Sequence, residues 1–153
     1  MKPKFRSCGS RDAGLLLPLI RAYYRYDGIP FSAPKIARSL SKLLQRRSLG
    51  RIWIIELGTR TAGYIMLSYN FDLEFGGIQG IITDLYIRPA YRGLGLGSTA
   101  LTLVEDFCLR KGIRAVELQV TTRNRSARKF YRKAGFSEKA RTVMGKELRV
   151  AAI

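Results

Sequence analysis

The run from Asp84 to Ser98 holds the residues whose chemistry is easiest to name. An apolar strand, Leu85-Tyr86-Ile87, meets Arg88-Pro89, and after Arg92 the glycines Gly93, Gly95 and Gly97 alternate into the start of an apolar helix. Such a turn leaves backbone N–H groups unpaired at the helix start, where the dipole favours negative charge. Glycines let that backbone approach a ligand without Cβ clashes, and Arg92 adds a cationic fork. The chemistry is pyrophosphate binding. A nucleotide-binding Gly-Lys-Ser/Thr loop is excluded, because the turn holds no lysine. The dinucleotide pattern G-x-G-x-x-G nearly fits from Gly93, with Glu117 about where a ribose-binding acid should stand. However, Ser98 occupies the last glycine position, and hairpin strands precede the unit that should come first.

A second block, from Asn124 to Phe136, spells Asn-x-x-Ala-x-x-Phe-Tyr-x-x-x-Gly-Phe. Together with Arg92-x-x-Gly95-x-Gly97 after a strand ending at Pro89, it resembles the GNAT N-acetyltransferase superfamily, and the likeness covers nearly the whole chain. The resemblance implies acetyl-CoA as acyl donor and a primary amine as acceptor. It implies that the main chains of Leu85 and Ile87 pair with the pantetheine arm, a β-augmentation by the cofactor. Arg92, Gly93, Gly95, Gly97 and Ser98 would hold the pyrophosphate, and Asn124 would contact the pantetheine arm. Tyr131 would donate a proton to the departing sulfur. Duller readings stand beside these. Tyr131 could be a core aromatic, and Asn124 could be only a helix N-cap. The cations Arg123, Arg125, Arg128, Lys129, Arg132 and Lys133 could be a solvated face or could share in binding the 3′-phosphate.

The chain has no histidine, which excludes Ser-His-Asp and Cys-His catalysis and removes the commonest metal ligand, so no metal is expected. An attacking amine must be neutral, so a carboxylate or a water chain has to take its proton. Asp84 lies on the cofactor strand; in the family resembled, an acid stands there or one residue earlier, where this chain has Thr83. Glu74 is the rival. It sits between Phe71 and Phe75, where desolvation would raise its pKa. Cys8 and Cys108 lie among apolar neighbours and read as buried thiols, and Cys108, on a buried helix face, is not expected to carry an acyl-cysteine intermediate. Direct transfer in a ternary complex follows.

These groups need a scaffold. The apolar pattern predicts a first strand over Lys4–Gly9 with Ser10 as a helix N-cap, and a helix from Arg11 to Tyr26 bent or broken at Pro18. A second helix follows over Ala33–Gln45, with Ile36, Leu40, Leu43 and Leu44 on one face and Lys35, Arg38, Lys42 and Arg46 in water. Strands are expected over Arg51–Glu56, Ala62–Phe71 and Ile78–Arg88. An amphipathic helix spans Gly95–Lys111, a strand Ala115–Val120 and a short helix Asn124–Ala134. Phe136 and Arg141–Val150 are expected to supply the last strands. The order βααβββαβαββ makes a mixed α/β fold, with a mostly antiparallel GNAT-type sheet flanked by helices. Residues 1–153 form one acetyltransferase domain in this reading.

The net charge of +17, from 28 Lys+Arg against 11 Asp+Glu, draws anionic partners but cannot choose among them. It disfavours a polycationic acceptor. A small amine, or an amine on an acidic or ribosome-associated protein, fits better, with Tyr23, Tyr24, Tyr26 and Phe31 as candidate pocket walls. A cytoplasmic protein without a membrane segment is expected, and a homodimer is compatible with the sequence. Two other classes stay open: a nucleic-acid-binding module and a catalytically silent acyl-CoA sensor.

Overall fold

The bulky, β-branched runs of the first half pair into hairpins, and helices from the same part of the chain cover the sheet they form. In the computed structural model, which describes residues 1–149, the strands are β1 (Pro3–Ser7), β2 (Gly50–Leu57), β3 (Arg60–Asp72), β4 (Gly77–Ile87) and β5 (Val116–Leu118). The helices are α1 (Ala13–Asp27), α2 (Ala33–Gln45), α3 (Leu96–Arg110) and α4 (Arg125–Lys133). The chain divides into two compact units, Met1–Gln119 and Val120–Ile153.

In the first unit the sheet runs in chain order from β1 to β5. Neighbours are antiparallel except β4 and β5, which are parallel. Alternation sets the two faces. Ile52, Ile54, Tyr64 and Tyr86 meet Leu16, Leu19 and Ile20 of α1 and Leu40 of α2. On the other face Trp53 packs edge-on against Phe107 of α3, ring centres 5.1 Å apart. Leu16 has no exposed surface, so truncating it to alanine would cost about 2–5 kcal/mol.

The helices end where their residues dictate. Gly28 closes α1 in the left-handed conformation, φ +70°, and Gly112 follows α3 at φ +74°. Pro18 does not break α1, which runs unbroken through it. Pro18 is exposed, so the carbonyl left without its N–H partner can face water. Ser10 is not the N-cap of this helix. It opens a short 3₁₀ turn, Ser10–Asp12, and Asp12 holds the junction by accepting from Gly9 N–H at 2.8 Å and pairing with Arg6 at 2.9 Å.

In the second unit Asn124 caps α4, its Oδ1 accepting from Ala127 N–H at 3.1 Å. The expected last strands are a correction: among the described residues none follows β5. Phe136 instead belongs to the end of α4, its N–H donating to the Tyr131 carbonyl at 3.0 Å. Residues 141–149 carry no strand. Val143, Met144 and Leu148 are 70%, 91% and 77% exposed, and Gly145, Lys146 and Glu147 between them are poor strand formers. Val150, where that strand was expected to end, lies outside the described residues.

Candidate active site

The site is built on β4 and the turn after it. β5 pairs with β4 only at Gly80, Ile81 and Ile82. From Thr83 onward, among the described residues, β4 has a strand neighbour on its β3 side alone, where Leu85 lies opposite Ile65 and Ile87 opposite Gly63. Among those residues the other edge of Leu85 and Ile87 is therefore without a strand partner, which is what an extended amide-bearing arm needs in order to pair there.

Beyond Ile87 the chain makes a 3₁₀ turn, Pro89–Tyr91, and reaches Gly93 at φ +78° and Gly95 at φ +76°. Both are values that a side chain would strain. The bond from Thr99 N–H to the Gly95 carbonyl, 3.1 Å, belongs to the first turn of α3. Among the described residues the N–H groups of Leu96, Gly97 and Ser98 thus precede the bond that opens the helical ladder, the place where an anion is received. Arg92 is held beside them: its Nε–H donates to the Ile87 carbonyl at 2.9 Å, and its guanidinium stacks over Tyr26 at 5.0 Å and Tyr86 at 5.8 Å. Neither tyrosine was among the residues expected to hold this arginine.

Asp84 owes its direction to a bulge. Met66 faces Asp84 while Leu67 faces Ile82, so Thr83 is an extra residue on β4. The slip turns Asp84 to the α1 side, where it accepts a hydrogen bond from Tyr64 Oη at 2.7 Å. Only 8% of Asp84 is exposed. Burial pushes its carboxyl above the ordinary carboxylate range, while hydrogen bonds from Tyr64 and Thr83 pull the other way. Tyr64 is fully buried, and burial together with the Asp84 charge keeps its hydroxyl protonated far above the ordinary tyrosine range. Sequence reasoning missed Tyr64. Its place in an alternating strand marks it as inward-facing, but only the pairing register reveals that it reaches Asp84.

The structure thus brings Asp84, Leu85, Ile87, Arg92, Gly93, Gly95, Gly97 and Ser98 into one strand–turn–helix unit. Glu74 is not part of it. It sits exposed at the tip of the β3–β4 hairpin, its N–H on Asp72 Oδ1 at 2.9 Å, with Phe71 70% exposed. The aromatic surroundings that would have desolvated it are absent, because the flanking rings point to solvent. Asp84 lies seven residues along β4 from Gly77, about 23 Å at the rise of a strand. Glu117 accepts from buried Gln79 at 2.9 Å, a cross-strand contact and not a ribose site. Burial pushes the Cys8 thiol up to about 12 and the Cys108 thiol up to about 11.

In the second unit Asn124 and Tyr131 are two turns apart on α4, hence on one face and about 10 Å apart along the axis. The Tyr131 ring lies 5.1 Å from Phe130 and 5.9 Å from Phe136. Of the α4 cations, Arg128 and Arg132 pair with Glu138 at 2.8 and 2.7 Å. That leaves Arg123, Arg125, Lys129 and Lys133 without a recorded ion pair among the described residues.

Residues 18–136 match the acetyltransferase (GNAT) family. The chain belongs to that family. The match runs through both units. An uncharacterized N-acetyltransferase of Methanocaldococcus jannaschii is 27% identical over 78% of this chain. The chain spans about half of that relative's length, 53%. A solved integron cassette protein from the mobile metagenome of Cole Harbour salt marsh is 33% identical, with a TM-score of 0.84 over 96% of this chain and 91% of its own. An acetyltransferase of Clostridium acetobutylicum, solved with acetyl-CoA, shares the GNAT fold at 19% identity, with a TM-score of 0.80 over 95% of this chain and 96% of its own. Among the described residues no helix is long and apolar enough to cross a membrane, and no cluster of ligating side chains could hold a metal ion.

Proposed function

We propose that this GNAT protein is a cytoplasmic N-acetyltransferase, working as one domain, that moves the acetyl group of acetyl-CoA to a primary amine by direct transfer in a ternary complex. One observation carries the reading. A strand left without a partner along one edge runs into a glycine turn with open N–H groups and an anchored arginine, and a buried carboxylate stands on the same strand. Acetyl-CoA supplies the activated acyl group. The free edge of Leu85 and Ile87 pairs with its arm and orients it, and Arg92 with the backbone of residues 93–98 neutralises the pyrophosphate.

Asp84 takes the amine's proton. Tyr64 and Thr83 hydrogen-bond the carboxyl and orient it, and burial raises its basicity toward the task. Tyr131 enters on its place in the family motif, as proton donor to the leaving sulfur. Neither thiol serves as a nucleophile, since both are buried with raised pKa values.

The test is calorimetric titration of acetyl-CoA into the protein and into Arg92→Ala at moderate salt. One saturable site, weakened about tenfold or more by the substitution, is expected. An amine screen then follows, in which Tyr131→Phe should lower kcat about a hundredfold and leave acetyl-CoA binding intact. Binding indifferent to Arg92→Ala and erased by salt alone would return the protein to the nucleic-acid reading.

A further inference from the structure

The β3–β4 hairpin reaches past the strands on either side of it. β2 pairs with β3 as far as Ser68, which lies opposite Gly50, and β5 first pairs with β4 at Gly80. Beyond those points, among the described residues, β3 and β4 pair only with each other, ending at Phe71 opposite Ile78 and Asp72 opposite Gly77. A two-stranded ribbon of this kind is marginally stable in water. This one also exposes large apolar side chains: besides Phe71, Leu73 is 86% exposed and Ile78 50%. Phe71 and Ile78 stand directly opposite each other, hence on one face. Acyl transfer uses none of them.

The edge that β2 leaves open, residues 69–72, has neither the lysine nor the proline that commonly guards an exposed strand. Its charge is of the minority sign. No lysine or arginine lies between Arg60 and Arg88, and the tip carries Asp72 and Glu74. The foot of the same edge is the reverse. Between Asp27 and Glu56 the chain has no acid, and this stretch brings Arg47, Leu49 and Arg51 to the start of β2. Arg47 and Arg51 lie within electrostatic reach of the Tyr69 side chain, and Leu49 is exposed.

The extended strand keeps tip and foot apart, about 13 Å from Tyr69 to Leu73. A second copy can join them. A two-fold axis near Phe71 aligns two open edges antiparallel and sets the Tyr69 end of one opposite the Leu73 end of the other. Each acidic, apolar tip then meets the cations and the exposed leucine of the other copy, and the symmetry closes without a free edge to recruit a third.

We infer that two copies of this chain form a reversible dimer by pairing their β3 edges over residues 69–72, with Phe71 and Leu73 of each covered by the other and Glu74 facing Arg47 of the second copy. The surface is separate from the acyl-transfer site, and it gives Glu74, which stands away from that site, a place at an interface.

Sedimentation equilibrium of the full chain over about 1–100 μM, at roughly 0.15 M ionic strength, should show monomer passing to dimer. Phe71→Lys/Leu73→Lys should raise the dissociation constant about a hundredfold or more, with an unchanged circular dichroism spectrum because both side chains are exposed. Ile29→Lys, at another exposed apolar position, should leave the dimer intact. Glu74→Arg and Arg47→Glu should each weaken it about tenfold. The double variant Glu74→Arg/Arg47→Glu should recover it, since in a two-fold dimer each reversed charge meets the other.

A monomer at every concentration, a dimer indifferent to the tip substitution, or one that Ile29→Lys disrupts equally would overturn the assignment. So would a double reversal that recovers nothing the single reversals lose. If the chain stays monomeric, floats with phosphatidylcholine–phosphatidylglycerol vesicles and is released from them by Phe71→Lys/Leu73→Lys, the ribbon faces a membrane and the dimer is excluded. None of these readouts depends on acetyl-CoA.

Discussion

A buried carboxylate that accepts a hydrogen bond from a buried tyrosine is a base whose strength two neighbours set in opposite directions. Burial raises the Asp84 pKa and the Tyr64 hydroxyl lowers it. The acid limb of kcat/KM should therefore lie above the ordinary carboxylate range. Tyr64→Phe should move it to still higher pH, because the bond it removes favours the charged form; a limb that stays in place would dissociate Asp84 from the proton transfer. Asp84→Asn should lower kcat by about 10²- to 10⁴-fold. It also makes a stability prediction with a definite sign. A carboxyl whose folded pKa is raised contributes stability below its ordinary pKa and loses it as pH rises through the folded value. The melting temperature of Asp84→Asn should therefore gain on that of the parent as pH rises through this window, read by thermal melts over a pH series. In the sequence, Asp84 stood out as a candidate from its place just before the glycine turn, while its burial against Tyr64 could not be read there. Glu74 looked equally good because flanking aromatics suggest burial, but a hairpin tip leaves such rings in water.

At the scale of elements, the helices, the two hairpins and the glycine turn were legible because each carries its own periodicity and stop signals. The bulge at Thr83 was not. An extra residue in a strand changes no local pattern and is defined only by the strand opposite. The expected C-terminal strands failed for a related reason: a few apolar residues suggested pairing, while the residues between them gave no alternation to support it. Two substitutions test the turn and the strand that feeds it. Gly95→Ala places a side chain at φ +76° and should cost about 1–2 kcal/mol, with acetyl-CoA affinity falling as the turn readjusts. Gly63→Ala would drive a Cβ into the Tyr86 carbonyl of β4. It should lower the melting temperature and weaken acetyl-CoA binding together, since β4 cannot move without moving its free edge.

The whole molecule is strongly positive, and the donor proposed for it, acetyl-CoA, is an anion. The excess of 28 cations over 11 acids should hasten encounter with acetyl-CoA, so its association rate should fall as salt rises while kcat changes little. Stopped-flow binding over a salt series reads this directly, and a salt-independent rate would show that the charge serves another partner. The buried thiols have a practical bearing on all such assays. A disulfide reagent attacks thiolates, and at mildly alkaline pH Cys8 and Cys108 are both protonated and enclosed. The thiol that the proposed transfer would leave on coenzyme A lies in solution, open to the reagent and with no burial to raise its pKa. One chromogenic reagent therefore counts turnovers without background while the protein is folded, and the delayed colour from its two cysteines becomes a clock for unfolding.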